Sequence, residues 1–250
     1  MRALKKSPDY GLDAPGGALG LLVAAIILLP VGWFAARRGF ALNLDWLNGL
    51  GSASFNIGCG CLCGAALMFY SSYFGKFRQR DRILRRLHLH GDESVLDVGC
   101  GHGLLLIAAA KQLPRGRAVG IDLWSQKDQS NNSREATLRN AELEGVADRV
   151  EVHDGDMRKL SFPDAAFDAA VAHFAIHNIS GHEGRREAIR EIVRTLKPGG
   201  QVALSDLKSV GLYADELRKS GMSGVKIFGP SFWTWPPSRT VTARKPEQAR

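Results

Sequence analysis

The sequence predicts an α/β fold, a doubly wound and mostly parallel sheet of seven strands, preceded by a transmembrane helical hairpin. Three observations carry this reading. From Gly91 onward, short apolar runs alternate with helical patterns, the mark of strands joined by crossover helices. The first of those runs, Val95-Leu96-Asp97-Val98, leads into Gly99-Cys100-Gly101-His102-Gly103 and then an apolar helical run, Leu104 to Ala110. Ahead of these, residues 14–36 and 46–75 contain no charged side chain at all, and each stretch exceeds the roughly 20 apolar residues that span a bilayer.

The amino-terminal third reads as residues 1–75, with helices at about 17–36 and 47–73 and a loop of about a dozen residues between them. Small residues (Gly, Ala, Ser, Cys) crowd the second run, which suits close helix–helix packing. Trp33, Trp46, Tyr70 and Tyr73 lie near the expected ends, where aromatic side chains favour the interface. A signal peptide is disfavoured, because the apolar part is long and no small-x-small cleavage site precedes Arg37. The alternative is a pair of buried helices in a soluble domain.

The net charge of +8 is unevenly placed. Residues 49–90 carry six basic and one acidic residue, whereas residues 91–250 carry 22 and 21. A nucleic-acid binder concentrates its surplus on the folded domain, so no nucleic-acid partner is expected. The surplus collects at residues 76–90, a basic juxtamembrane helix, and points to membrane lipids. With Arg2, Lys5 and Lys6 it outweighs Arg37 and Arg38 in the loop, which places both ends, and the domain that follows, in the cytoplasm. Phe77, Ile83, Leu84 and Leu87 form an apolar face on that helix, to lie on the membrane or to cover the following domain. Cys59, Cys61, Cys63 and Cys100 show no zinc-ligand spacing, so no metal is expected.

Residues 91–250 form the third region. Strands are expected at about 94–99, 118–122, 149–153, 167–173, 201–206, 223–228 and 239–245, with helices at about 102–113, 133–143, 183–196 and 213–219. The glycine turn lets a ligand approach the backbone and aims helix N-terminal N–H groups at it; a strand-to-helix turn with incidental glycines is the plain alternative. Asp122 closes the second strand about 20 residues on, where a carboxylate accepts ribose hydroxyls. Asn132 and Glu135 stand at capping-box spacing.

The set Val95 to Gly103, Gly120-Ile121-Asp122, Gly155-Asp156-Met157, Phe167-Asp168 and Leu196-Lys197-Pro198-Gly199-Gly200 resembles the class I S-adenosylmethionine-dependent methyltransferases, in particular their small-molecule branch, over about residues 91–228. The resemblance implies a Rossmann-like sheet and S-adenosyl-L-methionine as cofactor. It implies that Gly99, Gly101 and Gly103, with Cys100 between them, lie under the methionine part, and that Asp97 holds the turn or the ammonium. Asp122 would take the ribose hydroxyls, Leu123 or Trp124 the adenine face, Asp156 the adenine amino group with Met157 donating through its backbone, and His173 the methionine end. His177 and His173 are the candidate bases. No Asn/Asp-Pro-Pro-Tyr/Phe motif follows the fourth strand, which by analogy speaks against DNA bases or glutamine amides as acceptors. The expected function is membrane-anchored transfer of a methyl group to a small, lipophilic acceptor. The alternatives are a non-catalytic S-adenosylmethionine-binding or assembly module, and a soluble methyltransferase with a helical N-terminal cap. Lid candidates are residues 76–90, 124–132 and the aromatic, proline-stiffened stretch 228–237.

Overall fold

The structure is a computed structural model that describes residues 7–125, 129 and 131–247. The chain divides into two units, Leu12–Tyr73 and Met1–Gly11 with Phe74–Arg250.

In the larger unit, β1 (Ser94–Val98), β2 (Arg117–Asp122), β3 (Val150–Asp154), β4 (Phe167–His173), β5 (Leu196–Asp206), β6 (Ser223–Ser231) and β7 (Ser238–Arg244) form one sheet in the order β3-β2-β1-β4-β5-β7-β6. The first five are parallel, and β7 runs antiparallel to both of its neighbours. Their continuous Val, Ile, Leu and Ala runs suit strands covered on both faces; Leu96, for instance, sits in register with Val119 on one side and Ala170 on the other and is fully buried. The covering helices are α4 (Leu104–Ala110), α5 (Arg134–Leu143), α6 (His182–Thr195) and α7 (Val210–Lys219). β5 starts five residues earlier than the sequence suggested. Leu196 pairs with Phe167, and an irregularity in the ladder before Ala169 takes up the Lys-Pro-Gly-Gly segment, the kind of position where a proline costs no ladder bond.

Helix α3 (Lys76–Leu84) belongs to this unit and covers the domain. Ile83, Leu84 and the following Leu87 are at most 1% exposed and pack with Val95, Leu105 and Leu106. Its polar residue Gln79 is buried too, donating to Ser205 Oγ and Thr240 Oγ1 and accepting from Ser231 Oγ. Arg78, Arg82 and Arg85, at i, i+4 and i+7, form the exposed face. The 228–237 stretch comprises the end of β6 and the turn to β7, at the carboxyl end of the parallel strands. Within it Thr234 is buried, Arg78 stacks over Trp233, and Phe232 is exposed.

The smaller unit holds α1 (Pro15–Ala41) and α2 (Asp45–Tyr70), followed by one wide helical turn, Ser71–Gly75. Both helices are long and apolar enough to cross a membrane. They run further than expected, so the dozen-residue loop shrinks to Leu42–Leu44. Arg37 and Arg38 stay helical, each guanidinium folded back over the ring four residues earlier, Trp33 and Phe34. Pro30 sits inside α1 without ending it.

Candidate functional site

Between β1 and β4 the chain's crossovers switch faces, and the carboxyl ends of these two strands open the crevice where doubly wound sheets bind ligands. The glycine turn lines one side. Gly99, Gly101 and Gly103 all adopt positive φ, at 75°, 50° and 83°. A β-carbon on Gly99 would run into the Cβ of Ala175, in the loop after β4. The turn is fixed from below: Gly99 and Cys100 donate their N–H groups to the Ile121 carbonyl. Asp97 reaches from β1 to accept the N–H of Leu106, in the first turn of α4, at 2.8 Å. Cys100 points inward, its sulfur against Gly120, and burial raises its thiol pKa; the side chain is core, and only its backbone faces the turn.

Burial pushes the Asp97 carboxyl up to about 8, the Leu106 N–H opposing this in part. Between about pH 4 and 8 the unfolded chain has therefore released a proton that the folded one retains, so stability falls as pH rises across that window. Asp97→Asn keeps an acceptor for Leu106. Its thermal midpoint, followed in detergent from pH 4.5 to 8, is expected to decline less steeply than that of the wild type; parallel slopes would remove Asp97 as the cause.

Asp122 closes β2. Its Oδ2 accepts from Gly101 N at 2.8 Å, and its Oδ1 from Trp124 N at 2.6 Å and Asn132 Nδ2 at 3.3 Å. Asn132 Oδ1 is buried without a hydrogen-bond partner among the described residues. The carboxylate keeps one of its roughly four lone-pair sites, and together these two acceptors fit a vicinal pair of hydroxyl donors. Asn132 was visible in the sequence only as a possible helix cap. The structure gives that role to Ser133, whose side chain accepts from Ala136 N, because Asn132 is turned to Asp122. The indole of Trp124 is pinned by a 2.7 Å bond to Asp154, whereas Leu123 is 64% exposed. Met157 lies against Gly99. Asp156 faces Arg158, whose guanidinium and backbone N–H hold its carboxyl below the usual range.

Two features over the turn had no sequence signal. Gln129 Oε1 accepts from His102 N and lies 2.5 Å from where a Gly101 β-carbon would stand. Residues 9–11 form a latch beside it: Asp9 exchanges backbone bonds with the Asn140 amide, Tyr10 O accepts from Gln129, and Tyr10 OH bonds Glu144. Buried Lys76 donates to the Tyr10 and Gly11 carbonyls at 2.8 and 2.6 Å. Residues 126–128 and 130, part of the expected 124–132 lid, lie outside the described residues, as do Arg2, Lys5 and Lys6.

The loop after β4 lines the other side. Burial drives His173 down to about 4, with the Asp206 charge opposing in part, and neither ring nitrogen makes a hydrogen bond among the described residues. Its ring stacks on Phe174. His177 stands with Nδ1 2.6 Å from Asp206 Oδ1, a contact of ion-pair length but bent away from a straight hydrogen bond. Asp206 closes β5, is 1% exposed and accepts from His177 N, Leu207 N and Tyr213 OH. Sequence reading placed Asp206 at a strand end and gave it no role.

Residues 95–200 match a family model described as a methyltransferase domain. The chain is 33% identical over 147 residues to the 27-O-demethylrifamycin SV methyltransferase of Amycolatopsis mediterranei, covering 56% of this chain and 50% of that protein. It is 32% identical over 130 residues to the demethylmenaquinone methyltransferase of Listeria welshimeri, covering 51% and 50%. The chain thus spans about half the length of these relatives. The solved structure of an S-adenosylmethionine-dependent methyltransferase from Aquifex aeolicus superposes with a TM-score of 0.53 at 20% identity, covering 66% of this chain and 88% of that one. Residues 95–200 are thus similar to a methyltransferase domain, on a sheet of the same fold as the Aquifex enzyme.

Proposed function

We propose that the protein is an S-adenosylmethionine-dependent methyltransferase held at a membrane by its α1–α2 hairpin and acting on a small, lipophilic acceptor. One observation carries the catalytic part: the three positive-φ glycines, Asp122 and Asn132 converge at the crevice between β1 and β4. When bound there, the cofactor supplies an electrophilic methyl group on a sulfonium. The protein's task is then to align acceptor and methyl and to exclude water. Asp97, Gly99, Gly101 and Gly103 would hold the methionine part, Asp122 and Asn132 the ribose, Trp124 and the 155–157 segment the adenine, and Gln129 with the latch would close over the turn.

The anchor rests on different features. Large side chains of α1 and α2, such as Ile26, Ile27, Leu50 and Ile57, are more than half exposed, an arrangement favourable in lipid and costly in water. The exposed Arg78, Arg82 and Arg85 face of α3 suits an anionic leaflet at about 1 kcal/mol per charge near the surface. The lipophilic acceptor follows from that setting.

Calorimetry on the full chain in detergent tests the reading. Wild type is expected to bind S-adenosylmethionine, and Asp122→Ala to bind it at least tenfold more weakly. Binding without methyl transfer to any lipid or metabolite extract would favour the non-catalytic module. Recovery in the soluble fraction after a carbonate wash would replace the anchor with a soluble helical cap.

A further inference from the structure

The loop after β4 and the end of β5 contain machinery that cofactor binding does not require. Three donors and one ring contact converge on the Asp206 carboxylate from three elements: His177 N and, at 2.6 Å without a hydrogen bond, its ring Nδ1 from the β4 loop, Leu207 N from the end of its own strand, and Tyr213 OH from α7. A carboxylate so enclosed, 1% exposed, has one orientation. It stands 2.6 Å from His177 Nδ1, which leaves Nε2 as the ring's second position. The main chain of His177 is fixed as well, since Arg185 donates to its carbonyl at 3.1 Å while also bonding the Ile179 carbonyl and Ser209 Oγ. The His177 side chain is 16% exposed, so the ring is sheltered but reachable. The same loop touches the glycine turn where Ala175 closes on Gly99. The dyad therefore belongs to the loop that closes on the glycine turn.

We infer that His177 is the general base of the methyl transfer, that Asp206 is its positioning residue, and that the acceptor is consequently a hydroxyl, phenol- or enol-like, which still carries its proton at neutral pH. This rests on the methyltransferase reading above. A neutral amine needs no base to attack a sulfonium methyl, whereas a weakly acidic hydroxyl does. In the step, the acceptor oxygen forms the new O–CH3 bond while its proton passes to His177 Nε2. The methyl–sulfur bond breaks with its electron pair left on sulfur, and His177 then loses its proton to solvent. The dyad gains positive charge as the acceptor loses it, and Asp206 offsets that charge through Nδ1. The bent ring–carboxylate contact is expected to straighten when an acceptor binds, as such contacts commonly tighten on complex formation. His173 serves differently: buried and uncharged, stacked on Phe174, it forms a neutral wall beside the base. The ionisable groups around His177 are Asp206 on β5, His173 on β4, Arg185 on α6 and Tyr213 on α7, with Lys76 of α3 acting on His173.

The test uses the full chain in lipid nanodiscs, methyl-labelled S-adenosylmethionine, and the lipid extract of the producing cells as acceptor. Expected are label in a base-stable ether, a 10²- to 10⁴-fold fall in kcat for His177→Ala with KM for S-adenosylmethionine within twofold, and partial rescue by added imidazole. Asp206→Asn is expected to keep S-adenosylhomocysteine binding and to lower kcat at least tenfold with KM for S-adenosylmethionine within twofold, because the base loses the group that orients it. Nitrogen NMR of ring-labelled protein gives a readout without turnover: His177 protonated on Nδ1 in the wild type, with that preference lost in Asp206→Asn. His177→Ala turning over within threefold of wild type, label on nitrogen, or a wild-type His177 lacking the Nδ1 proton would each overturn the assignment. Failure of the wild type to bind S-adenosylhomocysteine would instead sink the underlying methyltransferase reading, so the two failures are separable.

Discussion

Gly99→Val is expected to reduce S-adenosylmethionine affinity at least 100-fold while the sheet stays folded. Gly99 sits at φ 75°, a region that costs a β-carbon about 1–2 kcal/mol and a β-branched side chain more. The same β-carbon would enter the space held by the Cβ of Ala175, so the turn and the β4 loop must separate for it to fit. Both walls of the crevice then shift, and a loss of about 2.8 kcal/mol, a factor of 100, follows from strain and displacement together. Gly145 provides the comparison. It also has positive φ, 69°, but nothing lies within 4 Å of its β-carbon position, so Gly145→Val carries the backbone strain without the collision and should leave affinity within about threefold. Calorimetric titration of both variants in detergent, with far-UV circular dichroism as the fold control, decides it. Equal affinities for the two would mean that the Gly99–Ala175 approach does not shape the site.

How much of this site was legible depends on whether its parts are local. The glycines and Asp122 belong to one strand–turn–helix–strand unit, and each has a local signature: positive φ demands glycine, and a strand-end carboxylate marks the ligand edge. Six of the seven strands were placed to within three residues for the same reason, and β5 starts five residues early. Gln129, Asn140 and Asp206 had no such signature. Their roles depend on pairings between residues 119, 131 and 29 positions apart in the chain: Gln129 with Tyr10, Asn140 with Asp9, Asp206 with His177. Lys76 and Gln79 illustrate the opposite difficulty. In the sequence they belong to a basic stretch that reads as a membrane-facing helix, yet both are buried, because α3 turns its Arg78-Arg82-Arg85 stripe outward and sets Lys76 against backbone carbonyls and Gln79 against β-strand hydroxyls. The charge of a stretch does not reveal which of its members the fold captures.

In the hairpin, Gly51→Leu is expected to destabilise helix pairing strongly, while Gly49→Leu, two residues away, leaves it intact or strengthens it. The buried residues of α1 are Ala18, Ala25, Gly32 and Gly39, and those of α2 are Gly51, Gly58 and Ala65. Every one is small, and successive members of each set are seven residues apart, so each helix presents a single straight seam to its partner. Backbone therefore meets backbone: a β-carbon on Gly51 would run into the main chain of Ala36, and one on Gly39 into that of Asn48. In the proposed bilayer setting, lipid supplies no hydrophobic drive between helices, so this close approach is the main source of their attraction. A leucine at Gly51 can only be accommodated by separating the helices along much of the seam, which removes dispersion contacts at Gly32 and Gly39 as well and costs more than the 1–3 kcal/mol typical of core overpacking. Gly49 faces open space, so Gly49→Leu adds apolar surface to lipid and about 1 kcal/mol of helix propensity. Opposite signs from the same substitution separate seam packing from propensity. Hydrogen exchange of the α1 and α2 amides, measured on the full chain in nanodiscs, is expected to show protection lowered at least 100-fold in Gly51→Leu and unchanged or raised in Gly49→Leu. Equal protection in both variants would mean that the two helices do not depend on this seam.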